Sequence, residues 1–217
     1  MLDPGAGTKQ VGYKGGHLLM AWSTAVNWSG DTATRDGVYW LDVVPQLTTK
    51  AAHNPQQVNG VLVSNQGIFG YVGGYTYMPT LEASSELDET LVFNYSSATV
   101  YPSIVYTARR QTDAPNTMGQ TGASANIVAG TNANGSGRWG DYSACSLTIN
   151  SVTRGIIWCG GEYGGSQASP TGAGWNTRIY ALRTELLSAP SAPLAQLSHS
   201  PVSVHYARCR RDHTAAR

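Results

Sequence analysis

Apolar and polar residues alternate with a period of two through most of the hydrophobic stretches of this chain. Three of these stretches resemble one another: "LLMAWS" from Leu18, "LVFNYS" from Leu91 and "IIWCGG" from Ile156. Each leads through a polar loop into a second alternating run, "GVYWLDV" from Gly37, "IVYTAR" from Ile104 and "RIYALR" from Arg178. Period-two alternation predicts strands rather than helices. The last two runs superpose with Tyr106 on Tyr180 and Arg109 on Arg183. Two units carry a preceding strand, "PTLEASS" from Pro79 and "DYSACSLTI" from Asp141. "GVLVSNQGIFGYV" from Gly60 and "SANIVAG" from Ser124 supply further strands.

The unit is therefore strand, turn, strand, loop, strand, with a fourth strand added in places. It recurs at roughly 65–75 residues, within or above the spacing of repeat architectures. An antiparallel sheet of that size matches a β-propeller blade. A β-sandwich also has many short strands, but the internal similarity favours the propeller. The expected fold is all-β, with about three blades over residues 1–187 and an irregular tail over 188–217. Three blades are too few to close a ring of the usual four or more. The reading is an incomplete propeller, the C-terminal part of a larger one, with missing blades or self-association closing the circle.

Composition agrees with this class. Charged residues make up 12%, about half the common share of roughly 25%. Gly is abundant, and Tyr and Trp dominate the aromatics. That balance suits a secreted β-protein. The formal net charge is +1, but Arg208, Arg210, Arg211 and Arg217 against Asp212 put +3 on the last ten residues and −2 on the rest. A basic groove for nucleic acid is not indicated. No apolar run is long enough to span a bilayer. The first residues lack a signal peptide, so an extracellular or periplasmic location implies a missing N-terminus.

The densest chemistry is "GRWGDYSACSLTI" from Gly137. If Asp141–Ile149 pairs with Gly155–Tyr163, opposite residue numbers sum to about 304. Asp141 and Glu162 then become diagonal neighbours at the open end of a hairpin, with Tyr163 and Arg138 nearby. Two carboxylates beside a Tyr fit glycoside hydrolysis, with Asp141 and Glu162 as acid and base or Tyr163 as nucleophile. The same residues also fit a charge-paired blade corner. Trp139 and Trp175, with Arg138 and Arg178, could form a sugar-binding rim, or the rings could serve blade packing. The pairing sum sets Cys145 opposite Cys159, as a cross-strand disulfide in an oxidising compartment or as two buried thiols. His17, His53, His199, His205 and His213 show no metal-ligand spacing. No cofactor is implied, and Ca²⁺ is the one ion left open. "NWS" at Asn27, "NYS" at Asn94 and "NGS" at Asn134 match the glycosylation sequon.

At "RWGDYSACSL", "WCGGEY" and "GWNTRIYALR" the chain resembles the terminal blade of a family of secreted bacterial β-propeller proteins. The resemblance runs from about Leu18 to Arg183. It implies the propeller fold and no single activity. The acidic turn frequent in that family is replaced by "INSVTRG", which removes any metal role of that acid. Sialidase propellers are echoed only poorly by "TRDGVYW" from Thr34. The expected function is an extracellular module binding a glycan or protein at a polar, aromatic rim. A sialidase-like glycosidase and a purely structural module are the alternatives.

Overall fold

The computed structural model describes residues 10–48, 57–119, 122–133, 139, 143–148, 155–165 and 174–183. These residues form eleven strands and, among themselves, no helix. The first sheet holds β1 (Val11–Lys14), β2 (His17–Val26), β3 (Arg35–Thr48) and β4 (Gln57–Phe69), in that spatial order. The second holds β5 (Gly74–Ala83), β6 (Glu89–Ser97), β7 (Ser103–Arg109) and β8 (Gly122–Val128). The third holds β9 (Ala144–Thr148), β10 (Ile156–Gly164) and β11 (Trp175–Arg183). All pairings are antiparallel between chain neighbours. The expected all-β class is observed, and the tail from residue 188 lies outside the described residues.

Strand β1 is absent from the sequence reading. Its hairpin with β2 turns on Gly15 and Gly16, both at positive φ (54° and 89°). A two-residue turn of that kind needs two left-handed residues, and glycine adopts them without a Cβ clash. The β5–β6 turn uses a side chain instead. Ser84 Oγ accepts the backbone N–H groups of Glu86 and Asp88, at 3.1 Å each.

Alternation sends each strand's apolar residues to two faces, and the second sheet is covered on both. On one side Leu81, Ala83, Leu91, Phe93 and Val105 pack against Leu19, Ala21, Val38 and Trp40 of the first sheet. On the other side Val92 and Ile104 pack against Cys145, Ile157, Cys159 and Tyr180 of the third. Asn94 also points to the third sheet, donating to the carbonyls of Ser103 (3.2 Å) and Glu162 (2.7 Å). Strand β5 touches β1, β2 and β3 on one side and β9 on the other. The backbone N–H of Cys145 donates to Gln10 Oε1 at 2.7 Å, and Gln10 Nε2 donates back to the Cys145 carbonyl. The residue beside β1 thus reaches β9 directly.

The third unit corrects the sequence superposition by one residue. Tyr106 pairs with Val92 and shares its face toward the third sheet. Tyr180 pairs with Cys159 and faces the second sheet. The two tyrosines meet one interface from opposite sides instead of occupying equivalent places. A one-residue slip reverses every side chain of a strand.

Candidate functional site

Strands β2, β6 and β10 finish at one end of the sheets, where the β2–β3 and β6–β7 loops lie. Glu162 and Tyr163 of the sequence-predicted cluster lie there, near the end of β10. The pairing sum of 304 holds in the register, Cys159 opposite Cys145 and Ile156 opposite Thr148. The cysteines form a disulfide bridging β9 and β10. Arg138 and Asp141, the two other members of the predicted cluster, lie outside the described residues.

Glu162 and Tyr163 are consecutive in β10 and therefore point to opposite faces. Glu162 pairs with Thr177 and Gly164 with Trp175, on the face that also carries Trp158 and Ile179. Tyr163 packs toward the second sheet, with Asn176 Nδ2 at 3.4 Å from its hydroxyl. Arg178 pairs with Gly161 on that same inner face. The carboxylate and the phenol therefore do not address one substrate from one side. Trp175 is about half exposed. Trp139 packs edge-on against Tyr77 of the second sheet, at 6.3 Å between ring centres, with its indole nitrogen buried. Burial pushes the Tyr77 hydroxyl up to about 12.

A second polar group at this end was not anticipated. Arg35 grips Asp31 with two hydrogen bonds of 2.9 and 3.1 Å. Asp31 also accepts the backbone N–H groups of Gly73 (2.7 Å) and Ala33 (3.1 Å). The hydrogen bonds from Arg35 and Gly73 hold the Asp31 carboxyl well below the usual range. The Arg35 guanidinium stands over the Tyr75 ring, 4.9 Å from its centre, and its own pKa is raised, first by Asp31. Behind it, Phe69, Tyr71, Phe93 and Tyr95 form a contiguous aromatic cluster.

At the opposite end, four ionisable residues meet between the first and second sheets. His17 Nδ1 lies 2.7 Å from Asp42 Oδ1. Arg109 donates to Glu89 Oε1 at 2.8 Å, and both side chains are fully buried. Arg109 also donates to the carbonyls of Thr117 (3.0 Å) and Asp113 (3.4 Å). Glu89 Oε2 is buried without a hydrogen-bond partner. Burial pushes the Glu89 carboxyl up to about 7; Arg109 pulls it down, and the Asp42 charge adds to the rise. His17 begins β2 and Asp42 lies in β3, so the pairing of these two strands brings them together.

Among the described residues no group of His, Cys, Asp and Glu is arranged to hold a metal ion. No helix among them is long and apolar enough to cross a membrane. Comparison with protein families, curated proteins and solved structures finds no match.

Proposed function

We propose that this chain is a β-propeller segment of an extracellular or periplasmic protein, and that it binds a glycan at the loop end of its sheets. The radial arrangement is supported by one contact above all. Stacked sheets sit about 10 Å apart, so two outer sheets in a flat three-layer stack are separated by about 20 Å. A glutamine side chain cannot cross that gap. Gln10 nonetheless bonds Cys145 in the third sheet, as expected where first strands converge on an axis and the sheets fan outward. The disulfide between Cys145 and Cys159 supports an oxidising compartment.

At the loop end, the exposed rings of Trp175 and Tyr101 share the rim with Asn176 and Glu162, and the Asp31–Arg35 pair lies at the same end on the first sheet. Aromatic faces suit the apolar faces of sugar rings, and the polar groups suit their hydroxyls. The opposed directions of Glu162 and Tyr163 favour binding over hydrolysis by that pair. The test is a glycan array followed by calorimetry, with Trp175→Ala and Tyr101→Ala. Each variant should weaken binding at least tenfold while keeping the wild-type circular dichroism. Absence of any glycan bound by the wild type removes this reading. Turnover of an aryl glycoside that Glu162→Gln abolishes would replace it with the glycosidase reading.

A further inference from the structure

Among the described residues the second sheet is covered on both faces, and the first and third are each covered on one. On the open face of the first sheet, cross-strand partners form three rows: Val11–Met20–Leu41, Tyr13–Leu18–Val43–Val63 and Trp22–Tyr39–Ile68, of which Val43 alone is buried. Trp22 and Tyr39 stack at 4.7 Å. The most exposed members are Tyr13 (68%), Val11 (55%), Ile68 (51%) and Val63 (47%). On the open face of the third sheet stand Ile179 (62%) and Trp158 (37%), with Trp175 left at the loop-end edge of that face, outside the junction. Scattered exposed apolar residues are ordinary, but contiguous apolar rows mark an interaction surface.

We infer that each open face is covered by a second copy of this chain, the first sheet of one copy packing on the third sheet of the other, so that two copies close a ring of six sheets. The inference rests on the radial reading above. Propellers close with about four to eight sheets. The described residues supply three per chain. Six is the single multiple of three in that range, so a ring made of this chain alone is a dimer. A two-fold axis then makes both junctions equivalent, and no open face is left to propagate a fibre.

The areas agree. At about 150–200 Å² for a large side chain, the exposed fractions amount to roughly 400 Å² on the first sheet and roughly 200 Å² on the third. Two such junctions bury about 1,200 Å² from these side chains, at the lower end of the roughly 1,200–2,000 Å² of a stable association. The junction would repeat the apolar packing that the second sheet already makes on each side.

The experiment is light scattering on the purified, oxidised chain. The expected mass is twice the 23.0 kDa of one chain. Ile68→Lys and Ile179→Glu, one on each open face, should each give a folded monomer by circular dichroism. Both positions are exposed, so neither change opens the core; Trp158→Lys is the second variant on the third sheet. Mixing the Ile68→Lys variant with the Ile179→Glu variant should restore the dimer, because one junction is then unaltered and the other pairs opposite charges. A wild-type monomer, a larger assembly, a dimer lost in only one single variant, or no recovery on mixing overturns the inference. Its failure is separable from that of the proposed function. A glycan-binding monomer removes the ring and keeps the rim; a dimer that binds no glycan does the reverse. An elongated dimer in small-angle scattering, instead of a disc, overturns the ring and the radial reading together.

Discussion

Replacing Arg109 by Met tests whether the buried charges between the first and second sheets stabilise the fold as a pair. The guanidinium makes three hydrogen bonds, to Glu89, Thr117 and Asp113. Met fills much of the aliphatic volume and removes all three. Removing one partner of a buried pair costs about 3–5 kcal/mol, because the other charge stays buried without compensation. The cost should depend on pH. The Glu89 carboxyl is pushed up from 4.5 to about 7 in the folded chain. A raised carboxyl holds its proton more tightly when folded than when unfolded. Its contribution is therefore greatest below about pH 4.5 and declines as pH rises through 7. For the wild type that decline amounts to about 3 kcal/mol.

Without Arg109 the carboxyl rises further, and the decline continues to higher pH. The difference between wild type and Arg109→Met should be about 3–5 kcal/mol at pH 8. At pH 5 Glu89 is neutral in both, and the lost bonds to the two carbonyls leave about 1–3 kcal/mol. Urea denaturation followed by tryptophan fluorescence measures both, since Trp40 is buried between the two sheets. If Arg109→Met does not fold at pH 8, the double variant Arg109→Met with Glu89→Leu should fold there, having no charge left to strand. An equal cost at the two pH values, or a cost under about 1 kcal/mol at pH 8, would refute the reasoning.

Three further outcomes are expected. Replacing Cys145 and Cys159 by Ala opens a link across a sequence separation of 14 and should lower stability by about 2–3 kcal/mol in denaturation experiments; an unchanged midpoint would contradict this. Gly67→Ala should lower the melting temperature, because a Cβ there would lie 2.9 Å from Trp40 Nε1, whereas Gly60→Ala, whose Cβ would meet only Gln46 Cβ at 3.9 Å, should not. Asp31→Asn should destabilise at pH 7 and become indistinguishable from wild type in strong acid. A carboxyl held low contributes above its unfolded pKa and loses that contribution as the pH falls through the folded one.

Much of the strand content was legible because period-two alternation is a local property. The register of β9 on β10 followed from centring one turn, and the cysteine pairing came with it. Strand β1 was missed because four residues carry too little pattern; the Gly15–Gly16 pair was its one signal. The opposed directions of Glu162 and Tyr163 were available from the same alternation that predicted the strand. The Glu89–Arg109 and His17–Asp42 group was not legible. Within each pair the partners meet across one hairpin, Glu89 opposite Arg109 in β6–β7 and His17 near Asp42 in β2–β3, whereas the meeting of the two pairs depends on how one sheet settles on another. The sequon at Asn94 also changes meaning, since its side chain is buried between sheets and closed to a glycan in the folded chain, while Asn27 is exposed.

The bond between Gln10 and Cys145 spans 135 positions. A ribosome delivers the glutamine early and its anchor much later. Strand β1, held meanwhile by its hairpin with β2, must wait for Cys145 to emerge before it is fixed at both sides. Contacts of such long range slow folding. The β1 edge of the first sheet should therefore be fixed only after the third sheet is made, and a protease present during synthesis should cleave at β1 more readily than in β2 or β3.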